Sequence, residues 1–313
     1  MTKRIRFITL AFCVVLFFIV APYIIIYSLG YRIDFEQKKV IATGGIYVKA
    51  LPVGADVIID SKTTSKTSLL SPTVFAQNLL PKQHSVLIKK DGYFSYKKTL
   101  DVKEKEVARL ERVVLFKEKI EFETLTDQTI SPFAKEEQFS IKNGNLYQNN
   151  NGQPVLIIKN VIAFDTYQNN LYWVGTDNLL YLSDFSGKEK TELFKSFYNP
   201  VKNIEISPDG QKILYYNDSE ILYSFLNSED PEKIFLNRFS EKIGSCFWLN
   251  DDYLIFSLGE KIIISEIDNR NSMNMVTLPK ILSSTDKMLF NQEDKKLYIL
   301  TKDSLLSSEK LLP

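Results

Sequence analysis

The chain has 313 residues, which exceeds one small domain and suits an anchor followed by two folded modules. Its 39 Lys and Arg residues balance 38 Asp and Glu residues, so no overall charge favours the binding of nucleic acid. The single histidine excludes metal sites that need several histidines. Only two cysteines occur, and Cys13 lies in the apolar N-terminal run, so the soluble part cannot form an internal disulfide.

The first predicted element is a transmembrane helix over residues 7–29. This segment reads FITLAFCVVLFFIVAPYIIIYSL and carries no charge, and as a helix it extends over about 34 Å, which crosses a bilayer. Lys3, Arg4 and Arg6 lie in the preceding segment, 1–6, and the positive-inside rule places that segment in the cytoplasm. We therefore predict a single-pass cell-membrane protein whose C-terminal domains are extracytoplasmic.

A cleaved signal peptide is the alternative interpretation of this segment. Signal peptides have a shorter apolar region, which is followed by small residues at the cleavage site. Here the apolar run is longer, and the sequence YSLGYRIDF has bulky residues where a signal peptidase needs small ones. We therefore prefer a retained anchor that contacts the lipid bilayer through residues 7–29, followed by a juxtamembrane linker at 30–43.

Residues 44–116 contain short strand patterns separated by turn sequences. The whole chain is rich in Tyr and Phe, with 16 and 21 residues, a composition that favours β-structure. Asp91-Gly92 separates two strand-like runs and is a strong hairpin signal, because both positions tolerate positive φ. The alternation of apolar residues predicts one shared core, formed by Val57, Ile59, Val86, Ile88 and Leu100.

Two stretches of this module carry a resemblance to a known family. They are GGIYVKALPVGADVIID at 44–60, with Pro52-Val53-Gly54-Ala55 at the signature position, and KKDGYFSYKKTLDV at 89–102. The module thus resembles the PEGA domain, a small β-sandwich-like module of bacterial envelope and surface proteins. The resemblance implies an envelope location and a β-sandwich architecture, and it transfers no catalytic residue.

The module departs from the family pattern in two places. Val53 replaces the glutamate that gives the family its name, and Lys82-Gln83 stands where a Pro-Gly turn is usual. Neither change touches the predicted core, but no role tied to that glutamate carries over. We interpret residues 52–55 as a tight turn rather than a ligand site, because proline fixes φ and glycine permits an unusual value. His84 begins a strand run and is interpreted as a structural residue.

Residues 120–313 contain an internal repeat of strand-pair sequences. Four copies begin at positions 171, 213, 254 and 297, so the spacings are 42, 41 and 43 residues. A fainter copy, FSIKNGNLYQNNNGQPVLII, precedes them. Two strands around a polar turn, repeated at this period, are typical of propeller blades, each a four-stranded sheet. The sequence therefore predicts a β-propeller-like domain of about five units.

One turn adds a motif to this period. Ser207-Pro208-Asp209-Gly210 precedes the strand QKILYY, and the repeat resembles the WD-like propeller repeats of bacterial envelope proteins. The next units have LNDDYLIF and NQEDKKLYIL instead, so the assignment depends more on the period than on the motif. Five is a low blade number, and the last unit lacks an outer strand. Closure therefore needs a strand from 113–125, or the ring stays incomplete.

Aromatic residues alternate with polar ones along these repeats. We interpret them as core that packs between neighbouring units, while a sugar-stacking surface is the alternative. Cys246 is interpreted as a small buried apolar residue. The aromatic residues concerned are Trp173, Tyr181, Tyr215, Tyr223, Phe247 and Trp248.

No catalytic, cofactor-binding or metal-ligating residue is predicted. The run 284–287 fits Ser-x-x-Lys, but neither Lys-Thr-Gly nor Ser-Asp-Asn follows it. A Ser-His-Asp triad would need His84 from the first module, and the chain has no Gly-x-Ser-x-Gly elbow. Asp251-Asp252 and Glu293-Asp294 are interpreted as hairpin tips rather than calcium loops. The basic run KKDGYFSYKK at 89–98 is interpreted as a solvated strand face, with anionic glycopolymer or lipid headgroups as the alternative contact.

The sequence thus predicts a mainly β, membrane-anchored envelope protein. Its expected function is a non-enzymatic binding or scaffolding module for an unknown envelope protein or polysaccharide, without cofactors or nucleic acid. One alternative is a carboxylate-dependent hydrolase whose site is assembled in the propeller channel, as carboxylate pairs are in glycosidases. A structural spacer within a larger envelope assembly is the other.

Overall fold

The computed structural model describes residues 3–34, 38–125, 138–188, 190–194, 200–227, 232–283 and 285–313. Across these residues the chain is mainly β, with one helix near the N-terminus. It divides into two compact units. The first comprises residues 1–115 together with 270–272, and the second comprises 116–269 and 273–313.

The helix α1 spans Lys3–Ser28 and includes the basic residues before the predicted transmembrane segment. Lys and Arg are good helix formers, and nothing that breaks a helix separates them from the apolar run, so the helix begins earlier than the apolar sequence does. No residue of its apolar window is buried, and by length and composition α1 can cross a membrane. These properties fit a membrane anchor or a signal sequence, and the orientation inferred from the basic residues stays a prediction.

The segment between α1 and the first module contains an antiparallel hairpin. Its strands are β1 (Tyr31–Asp34) and β2 (Lys39–Ala42). The Arg32 guanidinium lies 3.4 Å from the centroid of the Tyr27 ring and donates a hydrogen bond of 2.8 Å to the Tyr27 carbonyl. This predicted linker therefore has secondary structure that is tied to the end of the helix.

The first module consists of two sheets that share a core. Its strands are β3 (Gly44–Leu51), β4 (Asp56–Ile59), β5 (Lys62–Lys66), β6 (Thr73–Leu79), β7 (Gln83–Lys89), β8 (Tyr96–Asp101) and β9 (Val107–Val114). One sheet has the order β6-β3-β9, in which β3 and β9 run parallel, and the other has the order β5-β4-β7-β8. The predicted core is confirmed, since all its members are buried in one cluster: Val57, Ile59, Val86, Ile88 and Leu100.

The turns of this module differ in part from the expectation. Asp91-Gly92 does lie between β7 and β8, but the connection covers residues 90–95, and only Gly92 has positive φ, at +78°. The tight two-residue hairpin is instead Asp60-Ser61, with φ of 48° and 65°. Asp tolerates the left-handed region, and here it also has a side-chain partner, described below.

The second unit is a succession of five antiparallel sheets. Sheet 1 contains β11 (Phe139–Lys142), β12 (Asn145–Asn150) and β13 (Gln153–Lys159). Sheet 2 contains β14 (Val161–Tyr167), β15 (Asn170–Gly175), β16 (Leu180–Asp184) and β17 (Lys190–Phe194). Sheet 3 contains β18 (Asn203–Ile206), β19 (Lys212–Tyr216), β20 (Glu220–Phe225) and β21 (Ile234–Arg238). Sheet 4 contains β22 (Ile243–Asn250), β23 (Tyr253–Leu258), β24 (Lys261–Glu266) and β25 (Met275–Ile281).

The fifth sheet draws its strands from both ends of the second unit. It contains β26 (Lys287–Asn291), β27 (Lys296–Leu300) and β28 (Leu305–Lys310), and its outer strand is β10 (Phe122–Leu125). β10 pairs antiparallel with β28, with Phe122 opposite Ser308. The 113–125 region thus supplies the outer strand that the last unit lacks.

Each repeated strand pair of the sequence forms the second and third strands of one sheet. The expectation of four strands per unit is met in sheets 2 to 5, whereas sheet 1 has three strands among the residues that the structure describes. Only Asn160 separates β13 from β14, so the connection between these two strands does not supply a fourth strand to sheet 1.

Cores form between successive sheets. The aromatic residues assigned to the core from sequence are buried, except for Phe247, which is partly exposed. Trp173 stacks on Tyr181 with ring centroids 4.3 Å apart, and Tyr223 of sheet 3 meets Trp248 of sheet 4 edge to face. Cys246 is buried in the same cluster as Trp248, which confirms its interpretation as an apolar core residue.

Candidate functional site

The turn Ser207-Pro208-Asp209-Gly210 connects β18 to β19. The Asp209 carboxylate accepts hydrogen bonds from the Ser207 hydroxyl at 2.5 Å, the Gln211 amide at 3.0 Å and the Lys212 ammonium at 3.1 Å. Burial opposes the charged form of Asp209, but these bonds outweigh it and lower the pKa of the carboxyl. All these partners lie within three residues of Asp209, so these hydrogen bonds stabilise the turn itself.

The same turn also contacts both neighbouring sheets. The Asp209 amide donates a hydrogen bond of 2.9 Å to the Asp251 carboxylate of sheet 4. A Cβ added to Gly210 would lie 2.4 Å from the Tyr167 ring of sheet 2, and Gly210 has φ of +70°. Glycine is therefore required here on two counts. Asp251, interpreted from sequence as a solvated tip, is instead part of an inter-sheet contact.

Two carboxylates occupy equivalent places on the first strands of sheets 2 and 3. Asp165 pairs with Tyr172, and Glu205 pairs with Leu214. Tyr172 and Leu214 are each the second residue of a repeated strand-pair sequence, so the two acidic residues correspond. Sequence reasoning named neither of them, although the repeat register would have aligned them.

Each of these carboxylates binds the first strand of the next sheet. Asp165 Oδ2 accepts from the Ile206 amide at 2.6 Å, and Glu205 Oε2 accepts from the Trp248 amide at 2.9 Å. The Trp248 indole donates a further bond of 3.0 Å to the Glu205 carbonyl. The pair thus connects sheets 2, 3 and 4 through side chain to backbone hydrogen bonds.

Burial dominates the electrostatics of this pair. It raises the pKa of Asp165 to about 6, against the lowering effect of the Ile206 and Thr166 amides. Burial and the nearby charge of Asp165 raise the pKa of Glu205 well above its usual value. Raised pKa values are found at general acids, but structural burial produces them too. Here the backbone bonds assign the carboxylates a structural task.

A pocket of about 750 Å³ lies at one end of sheet 3. It is formed by the chain entering β18, the turn between β19 and β20 and the end of β21. Its walls combine acidic, basic and amide side chains, so it suits a polar ligand better than an apolar one. The lining residues are Pro200, Val201, Lys202, Asn217, Asp218, Ser219, Glu220 and Arg238.

The charged side chains of this pocket form ion pairs. Lys202 and Lys242 donate to Asp218 at 3.0 and 3.1 Å, and these bonds lower the pKa of Asp218. Arg238 pairs with Glu220, its Nε donating at 2.7 Å. The Glu220 side chain is 5% exposed whereas that of Arg238 is 70% exposed, so the guanidinium lies at the solvent side and the carboxylate beneath it.

The PEGA-like turn Pro52 to Ala55 is closed by hydrogen bonds to Thr67. The Gly54 amide donates to the Thr67 carbonyl at 2.9 Å, and the Ala55 amide donates to the Thr67 hydroxyl at 3.0 Å. Gly54 has φ of +86°, and Ala55 is fully buried in the core. The Lys90 ammonium donates to the Val53 carbonyl at 2.6 Å. These contacts are those of a structural turn.

His84 is buried between two oxygen acceptors. Its Nδ1 lies 2.5 Å from Asp60 Oδ2, and its Nε2 lies 2.8 Å from the Leu80 carbonyl. Both ring nitrogens can donate only when the imidazole is protonated. Burial disfavours the Asp60 charge, but hydrogen bonds from His84 and from the Ser85 amide outweigh it and lower the pKa of Asp60. The histidine is thus a structural residue of the first module.

Two leucines protrude from the first module. Ser68 and Ser71 exchange backbone hydrogen bonds of 2.8 and 3.1 Å, which makes Leu69 and Leu70 the tip of a tight turn between β5 and β6. Leu69 is 89% exposed and Leu70 is 100% exposed. Turn tips are usually polar, so this apolar tip is an unusual surface feature.

The remaining sequence candidates are the Ser-x-x-Lys run at 284–287 and the acidic pair Glu293-Asp294. Ser284 lies outside the described residues, so the Ser-x-x-Lys run cannot be placed. The Asp294 carboxylate accepts from the Lys296 amide at 3.0 Å and the Tyr298 hydroxyl at 2.6 Å, which are contacts of a hairpin turn. In the part of the chain that the structure describes, no three His, Cys, Asp or Glu side chains are placed to hold a metal ion.

Comparison with known proteins identifies one module. Residues 43–114 match the PEGA domain. This match covers the two-sheet module with its buried core and its Pro52 to Ala55 turn, and it suggests that this module is extracellular or periplasmic. The match does not extend into the second unit, and no curated protein matches the chain.

Three solved structures illustrate the distant similarity of this chain to known folds. The computationally designed Ika8 protein is 10% identical with a TM-score of 0.38, and the match covers 73% of this chain and 68% of that one. The designed Ika4 protein is 10% identical with a TM-score of 0.36, covering 48% and 91%. A nidogen/laminin complex is 10% identical with a TM-score of 0.35, covering 50% and 66%. Similarities at this level identify neither a fold nor a function.

Proposed function

We propose that this chain is a membrane-anchored extracytoplasmic envelope protein whose second unit is a five-bladed propeller that binds a protein or glycan partner without catalysis. The observation that carries the proposal is the pairing of β10 with β28. The first strand of the second unit completes its last sheet, which is how a ring of sheets is held together without a free end.

Contacts between first strands support the same arrangement. Asp165 of sheet 2 bonds to β18, Glu205 of sheet 3 bonds to β22, and the Gln292 amide donates to the Trp248 carbonyl of β22. First strands that follow one another in the sequence are therefore neighbours in space. Together with a repeat near 42 residues, this favours blades placed in sequence order around one axis.

Two features of the first unit support the proposed location. α1 is long and apolar enough to cross a membrane, and a PEGA domain follows it. Lys3, Arg4 and Arg6 precede the apolar run, which favours a cytoplasmic N-terminus. In the proposed protein, α1 holds the PEGA domain at the membrane and the propeller presents its loops to partners.

Two surfaces are suited to binding. The pocket beside β21 presents the Arg238 guanidinium above a buried Glu220, a pairing of charges that fits a polar glycan or a charged loop of a protein. The tip formed by Leu69 and Leu70 is apolar and exposed, which fits a protein partner. For the hydrolase alternative, Asp165 and Glu205 are candidate carboxylates, and the backbone hydrogen bonds that they accept favour a structural role.

The test uses the full chain in lipid nanodiscs. The protein is applied to an array of bacterial envelope polysaccharides, and a photo-cross-linking amino acid replaces Leu70 or Asn217 in cells to capture neighbouring envelope proteins. Arg238→Ala is the pocket variant, and Lys261→Ala is the matched control, since Lys261 is a similarly exposed lysine whose partner Glu241 lies outside the pocket.

Binding of a glycan or a single cross-linked protein that is lost in Arg238→Ala and kept in Lys261→Ala supports the proposal. If neither array nor cross-link gives a signal above the control, the binding role is wrong. Hydrolysis of an array glycan that is lost in Asp165→Asn and Glu205→Gln, with unchanged thermal unfolding, would favour the hydrolase.

A further inference from the structure

The end of α1 is joined by hydrogen bonds to the turn between β8 and β9. The Thr43 amide and hydroxyl donate to the Gly30 carbonyl, directly after the helix, at 2.9 and 2.6 Å. The Thr43 carbonyl accepts from the Lys105 amide of the turn at 3.1 Å. A Cβ added to Gly44 would lie 2.7 Å from the Glu106 carbonyl, so the turn packs closely against the start of β3. The side chains of this turn are therefore held next to the end of the apolar helix.

Lys105 occupies this turn in a left-handed conformation, with φ of +59°. Glycine adopts such a conformation at lower cost, so a lysine here points to a task for its side chain. The Lys105 side chain is exposed, and its ammonium lies 6.0 Å from the centroid of the Tyr31 ring. Within the described part of the chain the ammonium forms no ion pair. It is thus a cation available for a ligand beside the end of α1.

Tyr31 also contacts a second cation, Arg32. The Arg32 Nη1 donates to the Tyr27 and Tyr31 carbonyls, both at 2.8 Å, and the guanidinium lies over the Tyr27 ring. Its Nε and Nη2 donate to no residue that the structure describes. This edge of a guanidinium can bind a phosphate through two parallel hydrogen bonds. Since Tyr27 is the second-last residue of α1, the edge is held at the level where the helix ends.

An apolar pair adjoins these cations on the β1–β2 hairpin. Ile33 lies opposite Val40, and the two are 46% and 53% exposed. Directly opposed residues lie on the same face of a sheet, and Tyr31 shares this face because it is two residues from Ile33. A two-stranded hairpin is only marginally stable in water by itself. The hairpin thus presents apolar side chains within a few residues of both cations, next to α1.

We propose that Arg32, Lys105 and the pair Ile33 and Val40 form a binding site for an anionic phospholipid at the end of α1. The free edge of the Arg32 guanidinium and the Lys105 ammonium bind the phosphate, and the apolar pair contacts the lipid below its headgroup. With α1 across a bilayer, the headgroup layer of roughly 5–7 Å begins where the helix ends. Cations next to a membrane span attract anionic lipids. The proposal rests on the membrane anchoring proposed above.

A soluble anion fits this site less well than a lipid does. It would bind the two cations but leave Ile33 and Val40 in water, whereas a phospholipid covers both groups. Glu104 and Glu106 flank Lys105 in the turn and are exposed. The site therefore depends on the positions of its two cations and not on a large local excess of positive charge.

The basic run at 89–98 lies at the other end of the first module and supplies a control. Lys90 donates to the Val53 carbonyl, two residues after β3 ends, whereas Thr43 joins α1 before β3 begins. The eight residues of β3 separate these ends by about 26 Å. Lys89 is exposed at the distant end, opposite Asp56. A change at Lys89 thus removes the same charge far from α1.

The experiment uses the full chain in detergent micelles that contain equal amounts of phosphatidylglycerol and phosphatidylcholine. Native mass spectrometry counts the molecules of each lipid that stay bound. Arg32→Gln and Lys105→Gly each remove one cation, Arg32→Lys keeps the charge but not the two-bond edge, and Lys89→Gln is the control. Thermal unfolding checks the fold of each variant. Because glycine suits the backbone at position 105, Lys105→Gly should not lower the thermal midpoint.

We expect the wild type to retain phosphatidylglycerol in preference to phosphatidylcholine. Each lost cation should reduce this preference about fivefold, and Lys89→Gln should leave it unchanged. Arg32→Lys should lie between the wild type and Arg32→Gln. Equal retention of both lipids by the wild type, or an equal loss in Lys89→Gln and Lys105→Gly, overturns the proposal. Displacement of the lipid by excess inorganic phosphate would assign the cations to a soluble anion and overturn it too.

Failure of this site can be distinguished from failure of the membrane anchor. Cell fractionation and the mass of the isolated protein show whether α1 is retained in the membrane. A chain that is released without α1 refutes the anchor and this site together. A chain that stays in the membrane but shows no lipid preference refutes the site alone.

Discussion

Asp165 and Glu205 lie at the same register position of neighbouring sheets, and each accepts a hydrogen bond from the first strand of the sheet that follows. First strands of different sheets do not pair with each other through backbone hydrogen bonds. The carboxylate at this position therefore provides the hydrogen bond that connects one sheet to the next. The equivalent position in sheet 4 is Phe247, opposite Ile255. Sheets 2 and 3 thus have a carboxylate at this position, and sheet 4 has an aromatic residue.

The pH dependence of stability should report the burial of Asp165. Its folded-state pKa of about 6 lies above the ordinary value of 3.8, so the folded protein binds a proton more tightly than the unfolded chain. Its contribution is fully present below about pH 3.8 and is lost as pH rises through about 6. We expect Asp165→Asn to flatten the dependence of the unfolding free energy on pH between 4 and 7, measured by urea unfolding with tryptophan fluorescence. An unchanged slope would contradict a buried, titrating Asp165.

Replacement of Glu205 should separate its hydrogen bond from its charge. Glu205→Ala leaves the Trp248 amide without its acceptor, and we expect a loss of about 1–3 kcal/mol in unfolding free energy. Glu205→Gln keeps an acceptor oxygen and removes the buried charge, so it should cost less than Glu205→Ala. Urea unfolding of both variants checks the order, and equal losses would show that the bond to Trp248 contributes nothing.

A designed disulfide should test the pairing of β10 with β28. Glu123 lies opposite Ser307, so Glu123→Cys with Ser307→Cys should form an intramolecular disulfide under mild oxidation. We expect faster migration on a non-reducing gel and a gain of about 2–4 kcal/mol in stability. Glu123→Cys with Lys310→Cys is the off-register control. A disulfide in the control pair but not in the matched pair would refute the register.

The pair of Asp60 and His84 should stabilise the PEGA domain above acidic pH. The pKa of Asp60 is lowered, so its stabilising effect is present above the ordinary value of 3.8 and is lost as pH falls through the lower folded-state value. We expect Asp60→Asn to lower the thermal midpoint at pH 6. At a pH below the folded-state pKa of Asp60, the variant and the wild type should have the same midpoint. A difference in thermal midpoint that persists at that low pH would come from packing and not from the charge of Asp60.

Membrane orientation can be measured with exposed cysteines. Leu70 is 100% exposed, whereas the native Cys246 is buried and the native Cys13 lies in the apolar helix α1, where lipid would shield it. A membrane-impermeant maleimide should therefore label Leu70→Cys in intact cells and leave the wild type unlabelled. Labelling only after the membrane is opened would reverse the orientation inferred from Lys3, Arg4 and Arg6. The mass of the isolated protein shows whether residues 1–29 are retained.

Much of the local structure could be predicted from the sequence. Three features depend only on neighbours along the chain: the charge-free length of residues 7–29, the strand alternation around Val57 and Val86, and the repeat near 42 residues. The same reasoning put Asp91-Gly92 in a tight hairpin, because it could not see that the connection continues to residue 95. It expected four strands in every unit, and in the part of the chain that the structure describes sheet 1 has three.

The sequence by itself determined the apolar helix, the PEGA domain and the strand repeats, because hydrophobic periodicity and turn chemistry are local properties. Only the tertiary structure decided that β10 completes the sheet of β28 and that Asp165 and Glu205 bind the following sheets. These features join residues 41 to 186 positions apart, as the spans from Asp165 to Ile206 and from Phe122 to Ser308 show. No local pattern encodes such contacts, since they arise when the whole set of sheets packs together.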